Sequence, residues 1–145
     1  MPYHKRSAVI ILKEDEILLM HRNKFGQKYF SIPGGTIEIG ESPEQTAIRE
    51  IKEETNLDIT LDKLLWEIED EYHHGYYFLT KSFSGKIKLG GPELKRQTAG
   101  NLYDLQWVKI KNLQNILLYP ESIKEKIINL GVDGKLMPRF KFVKN

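Results

Sequence analysis

The sequence contains no cysteine among its 145 residues. Disulfides, thiolate nucleophiles and zinc sites built on cysteine are therefore excluded, and such a chain is compatible with a reducing compartment. Long apolar runs are also missing, since the longest near the start is Ala8–Leu12. That run is far shorter than the ~20 residues of a membrane span or the ~7–15 residues of a signal-peptide core. We therefore expect a cytoplasmic protein without a membrane segment.

The chain also lacks a strong excess of either charge, because 22 Lys and Arg residues nearly cancel 20 Asp and Glu residues and leave a net charge of +2. Whole-chain charge therefore gives little reason to expect a nucleic-acid or membrane partner. The composition, 40% hydrophobic and 29% charged, is typical of a globular protein. A chain of this length predicts one domain over residues 1–145.

Apolar stretches rich in β-branched and aromatic residues alternate with polar turns along the chain. Asn23–Lys28 has the composition of a loop, and Pro33–Gly35 that of a turn. Two helices are predicted, one after Ser42 and a second over Pro120–Leu130. Strands combined with two helices indicate an α+β or α/β fold with layered packing. The predicted strands are Ser7–Leu12, Ile17–Met20, Tyr29–Ile32, Leu57–Ile68, Tyr76–Phe83 and Leu102–Ile110.

The best-marked element is a helix that begins after Ser42 and ends at about Thr55. Ser42 is a favourable N-cap, Pro43 suits the first helical position, and Gln45 completes a capping box. Asn56 then supplies a residue that tolerates the left-handed backbone conformation in which many helices end.

Three glutamates, Glu50, Glu53 and Glu54, project from one arc of this helix because they are spaced at i, i+3 and i+4. Their mutual repulsion would be removed by a hard divalent cation, which prefers oxygen ligands. Considered alone, the helix favours a charged surface patch balanced by Arg49 and Lys52, because isolated Glu-rich helices are common.

The residues before the helix favour a metal and phosphate site. Gly34 and Gly35 provide backbone freedom near a helix N-terminus, where free amides can receive an anionic oxygen. The segment lacks the Gly-Lys-Ser/Thr of a nucleoside-triphosphate P-loop and the spacing of a dinucleotide fold.

These residues resemble the Nudix box, Gly-x5-Glu-x7-Arg-Glu-U-x-Glu-Glu-x-Gly-U, in which U is aliphatic. One position departs from it, since Asn56 stands where the family has its second glycine. Residues 30–35, Phe-Ser-Ile-Pro-Gly-Gly, are also similar to the usual approach to the box. The matching residues are Gly35, Glu41, Arg49, Glu50, Ile51, Glu53, Glu54 and Leu57.

The resemblance implies an α/β/α sandwich around a mixed central sheet. It also implies an enzyme that uses Mg²⁺, with Mn²⁺ as a substitute, to cleave a nucleoside diphosphate linked to another group. Glu53 and Glu54 would be metal ligands, and Gly35 would contribute its carbonyl. Glu50 would either bind metal or accept a proton from the attacking water. Arg49 would hold a box glutamate in place.

The resemblance suggests roles for two further acidic residues. Glu41 would support the loop or bind a second metal, and Glu93 would add an acidic ligand or base downstream of the box.

His73 and His74 are adjacent, so strand geometry would point them to opposite faces. We predict that they form a polar hairpin tip.

The expected substrate is a small nucleotide, first of all a nucleoside triphosphate that is split to a monophosphate and pyrophosphate. A dinucleoside polyphosphate or an RNA 5′ end is the nearest alternative. ADP-ribose is less favoured, because residues 68–74 lack the proline of many ADP-ribose hydrolases. A Nudix-fold module that senses a nucleotide without hydrolysing it is a further alternative, although it would be expected to have lost box carboxylates. The sequence does not indicate the oligomeric state.

Overall fold

The structure, a computed structural model, describes residues 4–90, 97–98 and 100–132. For residues 131 and 132 it describes the backbone alone. The described residues divide into two compact units, one of residues 4–11 and 32–90 and the other of residues 12–31, 97–98 and 100–132, and each is described by itself. The elements are β1 (His4–Ile10), β2 (Leu12–Lys13), β3 (Glu16–Lys24), β4 (Gln27–Ser31), β5 (Gly34–Thr36), α1 (Pro43–Thr55), β6 (Asp58–Glu69), β7 (His73–Ser84), β8 (Asn101–Lys109), a 3-10 helix (Ile110–Asn115), β9 (Leu118–Tyr119) and α2 (Glu121–Val132).

The first unit is a mixed sheet with α1 packed against β1, β5 and β6. Its described strands lie in the order β5-β1-β7-β6. The β1–β7 pair is parallel, whereas β5 and β6 pair antiparallel with their neighbours. The apolar run Ala8–Ile11 is fully buried, as are Ala47 and Ile51 on the facing side of α1. The mixed sheet predicted from the sequence is therefore confirmed.

Helix α1 begins and ends where the local sequence predicts. The Ser42 hydroxyl accepts the Gln45 N–H at 3.1 Å, and the Gln45 side chain accepts the Ser42 N–H at 2.9 Å, so both halves of the capping box are formed. Asn56 has φ 68° and ψ 11°, which is the predicted left-handed cap. The Ser7 hydroxyl donates to the Pro43 carbonyl at 2.7 Å and fixes the first turn to β1.

The second unit contains a sheet in which β3 pairs antiparallel with β2, β4 and β8, while β9 pairs parallel with β4. Helix α2 packs against the 3-10 helix and β9. Its buried face carries Ile123 and Ile127, which are both fully inaccessible. The predicted second helix is therefore confirmed, one residue later at its start than expected.

The predicted loop at Asn23–Lys28 is instead a tight hairpin between β3 and β4. Asn23 pairs with Lys28 across it, and only Phe25 and Gly26 form the turn, with φ 51° and 89°. Two residues with positive φ make the turn whose twist matches that of the flanking strands. The Gly26 N–H donates to the Asn23 side chain at 3.1 Å and closes the turn.

The predicted turn at Pro33–Gly35 is also corrected, because Gly34 and Gly35 belong to β5 and pair with β1. Glycine is required at Gly34 because a Cβ atom there would collide with the Ser7 carbonyl and the Ala8 backbone. The glycines therefore allow close approach of two strands.

The hairpin tip predicted at His73 and His74 is found instead at residues 70–72, just before the two histidines. The Asp70 carboxylate accepts the N–H groups of Tyr72 and His73, each at 2.8 Å, and so forms the turn. His73 and His74 are the first two residues of β7. As expected for neighbours in a strand, they have different partners: His73 stacks on His4 and His74 on Tyr76.

Two further observations concern regions outside these sheets. In the parts of the chain that the structure describes, every helix is too short or too polar to span a membrane. Glu93, predicted as an additional acidic group, lies outside the described residues.

Candidate active site

The three glutamates of α1 differ strongly in exposure although they share one arc of the helix. The side chain of Glu53 is 43% exposed and that of Glu50 is 14% exposed, while Glu54 is 3% exposed. Burial of a carboxylate costs free energy unless hydrogen bonds compensate. The burial of Glu54 follows from its position beside the apolar stripe of α1, next to the fully buried Ile51.

The backbone of β5 lies directly against this acidic arc. The Gly34 N–H donates to Glu54 Oε2 at 3.2 Å. A Cβ atom on Gly35 would collide with the Glu50 carboxylate, so only glycine fits at this position without displacing that side chain. Two consecutive glycines of β5 thus contact two carboxylates spaced one helical turn apart.

Arg49 connects the carboxylates of the helix with the loop that precedes it. Its Nη1 atom lies 3.0 Å from Glu50 Oε1 and 3.3 Å from both carboxylate oxygens of Glu53. Its Nε and Nη2 atoms donate to the two oxygens of Glu41, at 2.6 and 2.9 Å. This bidentate pairing with Glu41, followed by the contacts with Glu53 and Glu50, raises the pKa of Arg49 above its ordinary value.

Glu41 is therefore a structural support of the loop before α1. Besides Arg49, its Oε1 atom accepts the Thr46 hydroxyl at 2.8 Å and the Glu38 N–H at 3.0 Å. The Arg49 hydrogen bond, with help from Thr46 and Glu38, lowers the pKa of Glu41 to about 2 from 4.5. Of the two roles considered for Glu41, these bonds favour loop support.

The depressed pKa of Glu41 predicts a specific dependence of stability on pH. A carboxylate with a lowered folded-state pKa stabilises the fold above its unfolded pKa, near 4.5, and loses that contribution as the pH falls towards about 2. We expect Glu41→Gln to lower the free energy of unfolding at pH 6 and to have progressively less effect from pH 4.5 to pH 2.5. Urea unfolding at each pH measures this difference, and a deficit that stays constant down to pH 2.5 would contradict it.

The donors of the site suit a hard divalent cation, because they are carboxylate and backbone oxygens. In the part of the chain that the structure describes, however, no group of three or more His, Cys, Asp or Glu side chains is arranged to hold a metal ion. Two of the carboxylates, those of Glu50 and Glu53, contact the Arg49 guanidinium. The donor set thus fits the predicted metal chemically, and the metal site itself stays a prediction.

Sequence reasoning missed several contributors to this arrangement. Thr46 is fully buried and bonds Glu41, while the Thr36 carbonyl accepts from Arg49 Nη2 at 3.3 Å. Glu38 lies 3.6 Å from the same nitrogen. The signal for Thr46 was its polar side chain at i+4 from the Ser42 cap, on the side of the helix that faces the loop.

A family model described as the NUDIX domain matches residues 2–128 of the chain. The chain belongs to the Nudix family. The match includes both compact units and the whole of the site described above, so the resemblance of the box is confirmed.

Two relatives whose names state an activity are similar in sequence to part of the chain. The ADP-ribose pyrophosphatase of Methanocaldococcus jannaschii is 36% identical over 88 residues, which are 56% of this chain and 52% of that protein. A Bacillus subtilis protein named "Putative 8-oxo-dGTP diphosphatase" is 32% identical over 111 residues, covering 73% of this chain and 66% of that protein. The chain thus spans about half the length of the first of these relatives.

A solved structure of MutT, from work on the Aliivibrio salmonicida and Vibrio cholerae proteins, has a similar fold. Its TM-score is 0.71 at 24% identity, with 88% of this chain and 98% of that chain covered. The similarity supports the α/β Nudix fold predicted from the sequence.

Proposed function

We propose that this Nudix protein is a metal-dependent pyrophosphohydrolase that cleaves a nucleoside diphosphate linked to another group. The observation that carries the proposal is the acidic arc of α1, in which Glu54 and Glu50 lie against the Gly34–Gly35 backbone while Arg49 contacts Glu50 and Glu53. Relatives named as a pyrophosphatase and a diphosphatase support the same reaction class. A family model that spans residues 2–128 also supports the prediction of one domain.

The acidic residues divide the work of the proposed reaction. Glu53, Glu54 and the Gly35 carbonyl would hold Mg²⁺ or Mn²⁺. Bound there, the ion would neutralise the diphosphate and stabilise the charge that develops on the leaving phosphate. Glu50 would either share in metal binding or accept a proton from the attacking water at its carboxylate.

Arg49 acts on the reaction by positioning these carboxylates. Its guanidinium contacts Glu50 and Glu53, and its bidentate bond to Glu41 fixes its own orientation. A planar guanidinium with donors in a fixed fork gives geometric control that a lysine would not. The loop before the helix is thereby joined to the catalytic face.

Within this class we propose a nucleoside triphosphate as substrate, split to a monophosphate and pyrophosphate. The Bacillus subtilis relative, named for a deoxynucleoside triphosphate, favours this substrate. The Methanocaldococcus relative favours ADP-ribose, which shares the internal diphosphate. A dinucleoside polyphosphate or an RNA 5′ end remains an alternative. The alternative of a sensing module without catalysis is disfavoured, since the box carboxylates are all present.

The experiment is a substrate panel in ¹⁸O-labelled water with Mg²⁺. It includes nucleoside triphosphates, 8-oxo-dGTP, ADP-ribose, diadenosine tetraphosphate and triphosphorylated RNA. We expect cleavage inside the phosphate chain, with the label on a phosphate product and none on the nucleoside carbon–oxygen bond. Mass spectrometry of the products measures the label. Tight nucleotide binding without any hydrolysis would instead support the sensing module.

A further inference from the structure

Asn56 makes a contact that the glycine usual at this position of the box could not make. Its left-handed backbone conformation is one that glycine and asparagine both tolerate. Its side chain, however, donates from Nδ2 to the Lys86 carbonyl at 3.1 Å. The departure from the family pattern therefore adds a hydrogen bond between residues 30 positions apart in the chain.

This bond holds a segment, residues 86–90, that follows β7 and that we name the strap. The Lys88 N–H donates to the Thr55 carbonyl at 2.9 Å, and the Gly90 N–H donates to the Glu54 carbonyl at 3.0 Å. The last carbonyls of a helix have no partner within the helix, so the strap satisfies groups that would otherwise need water. A Cβ atom on Gly90 would collide with the Glu53 carbonyl, so the strap lies directly on the turn that carries both glutamates.

We propose that Asn56 is a positioning residue, which holds the strap on the last turn of α1 and thereby fixes the backbone of Glu53 and Glu54. Terminal helical turns open easily when few contacts restrain them. The Glu53 side chain is nearly half exposed, and Arg49, which contacts it, lies one turn earlier on the same helix, so the location of this carboxylate depends on the backbone of α1. A small displacement of such a group lowers a reaction rate strongly. The inference rests on the proposed function for its catalytic consequence.

The test compares the wild type with Asn56→Gly, which keeps the left-handed conformation and removes the side-chain donor. We expect amide hydrogen exchange at Lys88 and Gly90 to become about fivefold faster, as loss of one hydrogen bond implies. We expect Mn²⁺, used alone as a probe in electron paramagnetic resonance, to bind about three- to fivefold more weakly. With the substrate found by the panel, kcat should fall about three- to tenfold while KM changes less than twofold. The melting temperature should change little, because glycine adopts this backbone conformation more easily.

A matched control is Lys52→Gln, which removes an exposed ion pair with Asp58 at the same end of α1 without touching the strap. It should leave exchange, Mn²⁺ affinity and kcat unchanged. The proposal would be overturned if the Lys88 and Gly90 amides of Asn56→Gly exchanged at the wild-type rate. It would also be overturned if they exchanged faster while Mn²⁺ affinity and kcat stayed unchanged. A wild-type protein that hydrolyses nothing in the panel would count against the proposed function alone. The exchange and Mn²⁺ measurements would still decide the role of Asn56.

Discussion

Removal of divalent cations with EDTA is expected to abolish hydrolysis, and Mg²⁺ or Mn²⁺ is expected to restore it. The expectation follows from the donors on α1 and β5, which are all oxygen atoms and suit hard cations. Without a cation, the diphosphate of the substrate would face the carboxylates of Glu50, Glu53 and Glu54 and be repelled by them. Rates measured after EDTA treatment and dialysis, with each metal then added back, check this prediction.

Two controls make the metal experiment specific. Circular dichroism before and after EDTA should be the same, because Arg49 contacts Glu50 and Glu53 and limits their repulsion in the absence of a cation. Zn²⁺ should restore less activity than Mg²⁺, since the described part of the site offers neither cysteine nor histidine. Full activity in EDTA would contradict a metal-dependent mechanism.

The second large effect is expected from Glu53→Gln and Glu54→Gln, each of which should lower kcat at least ~100-fold. Each change removes a negative charge at nearly constant shape, and a ~100-fold loss corresponds to about 2.7 kcal/mol of transition-state stabilisation. The two variants should differ in their free energy of unfolding. Glu53 is exposed, so Glu53→Gln should unfold like the wild type. Glu54 is buried and bonds the Gly34 N–H, so Glu54→Gln should change the free energy of unfolding. The amide oxygen of glutamine can still accept the Gly34 N–H, so this variant should nevertheless remain folded.

Steady-state kinetics and urea unfolding measure both properties. Glu44→Gln is the matched control, because Glu44 is an exposed glutamate in the first turn of the same helix. It should keep the wild-type kcat. Full activity of either test variant would remove that residue from the proposed metal site.

The sequence predicts best those features that depend on neighbouring residues. The start of α1 follows from Ser42, Pro43 and Gln45, and its end from Asn56, because caps are formed within a few positions of the chain. The exposure of the glutamates also follows from helical periodicity, since Glu54 lies beside the buried stripe and Glu53 does not. The Nudix box could be recognised because its residues also lie close together along the chain.

Features that depend on distant contacts could not be predicted. Gly26 indicates a turn locally, but phenylalanine rarely adopts positive φ, so the local sequence does not predict Phe25 as the other turn residue. The Phe25 N–H donates to the distant Gly100 carbonyl. Gly34 reads locally as a turn residue, and only the approach of β1 explains it as a strand residue. The choice of Glu41 as the bidentate partner of Arg49 likewise depends on the path of the loop between β5 and α1.

The parallel pairing of β1 with β7 has a consequence for the growing polypeptide. His4 pairs with His73 and Ile10 with Leu79, so β1 is made 69 residues before its parallel partner. At ~5–20 residues per second, the ribosome needs several seconds to supply that partner. During this interval β5 can cover one edge of β1, but the other edge of a strand carrying Ala8, Val9 and Ile10 stays open. A fragment that ends between α1 and β7 would retain this open apolar edge and is expected to aggregate.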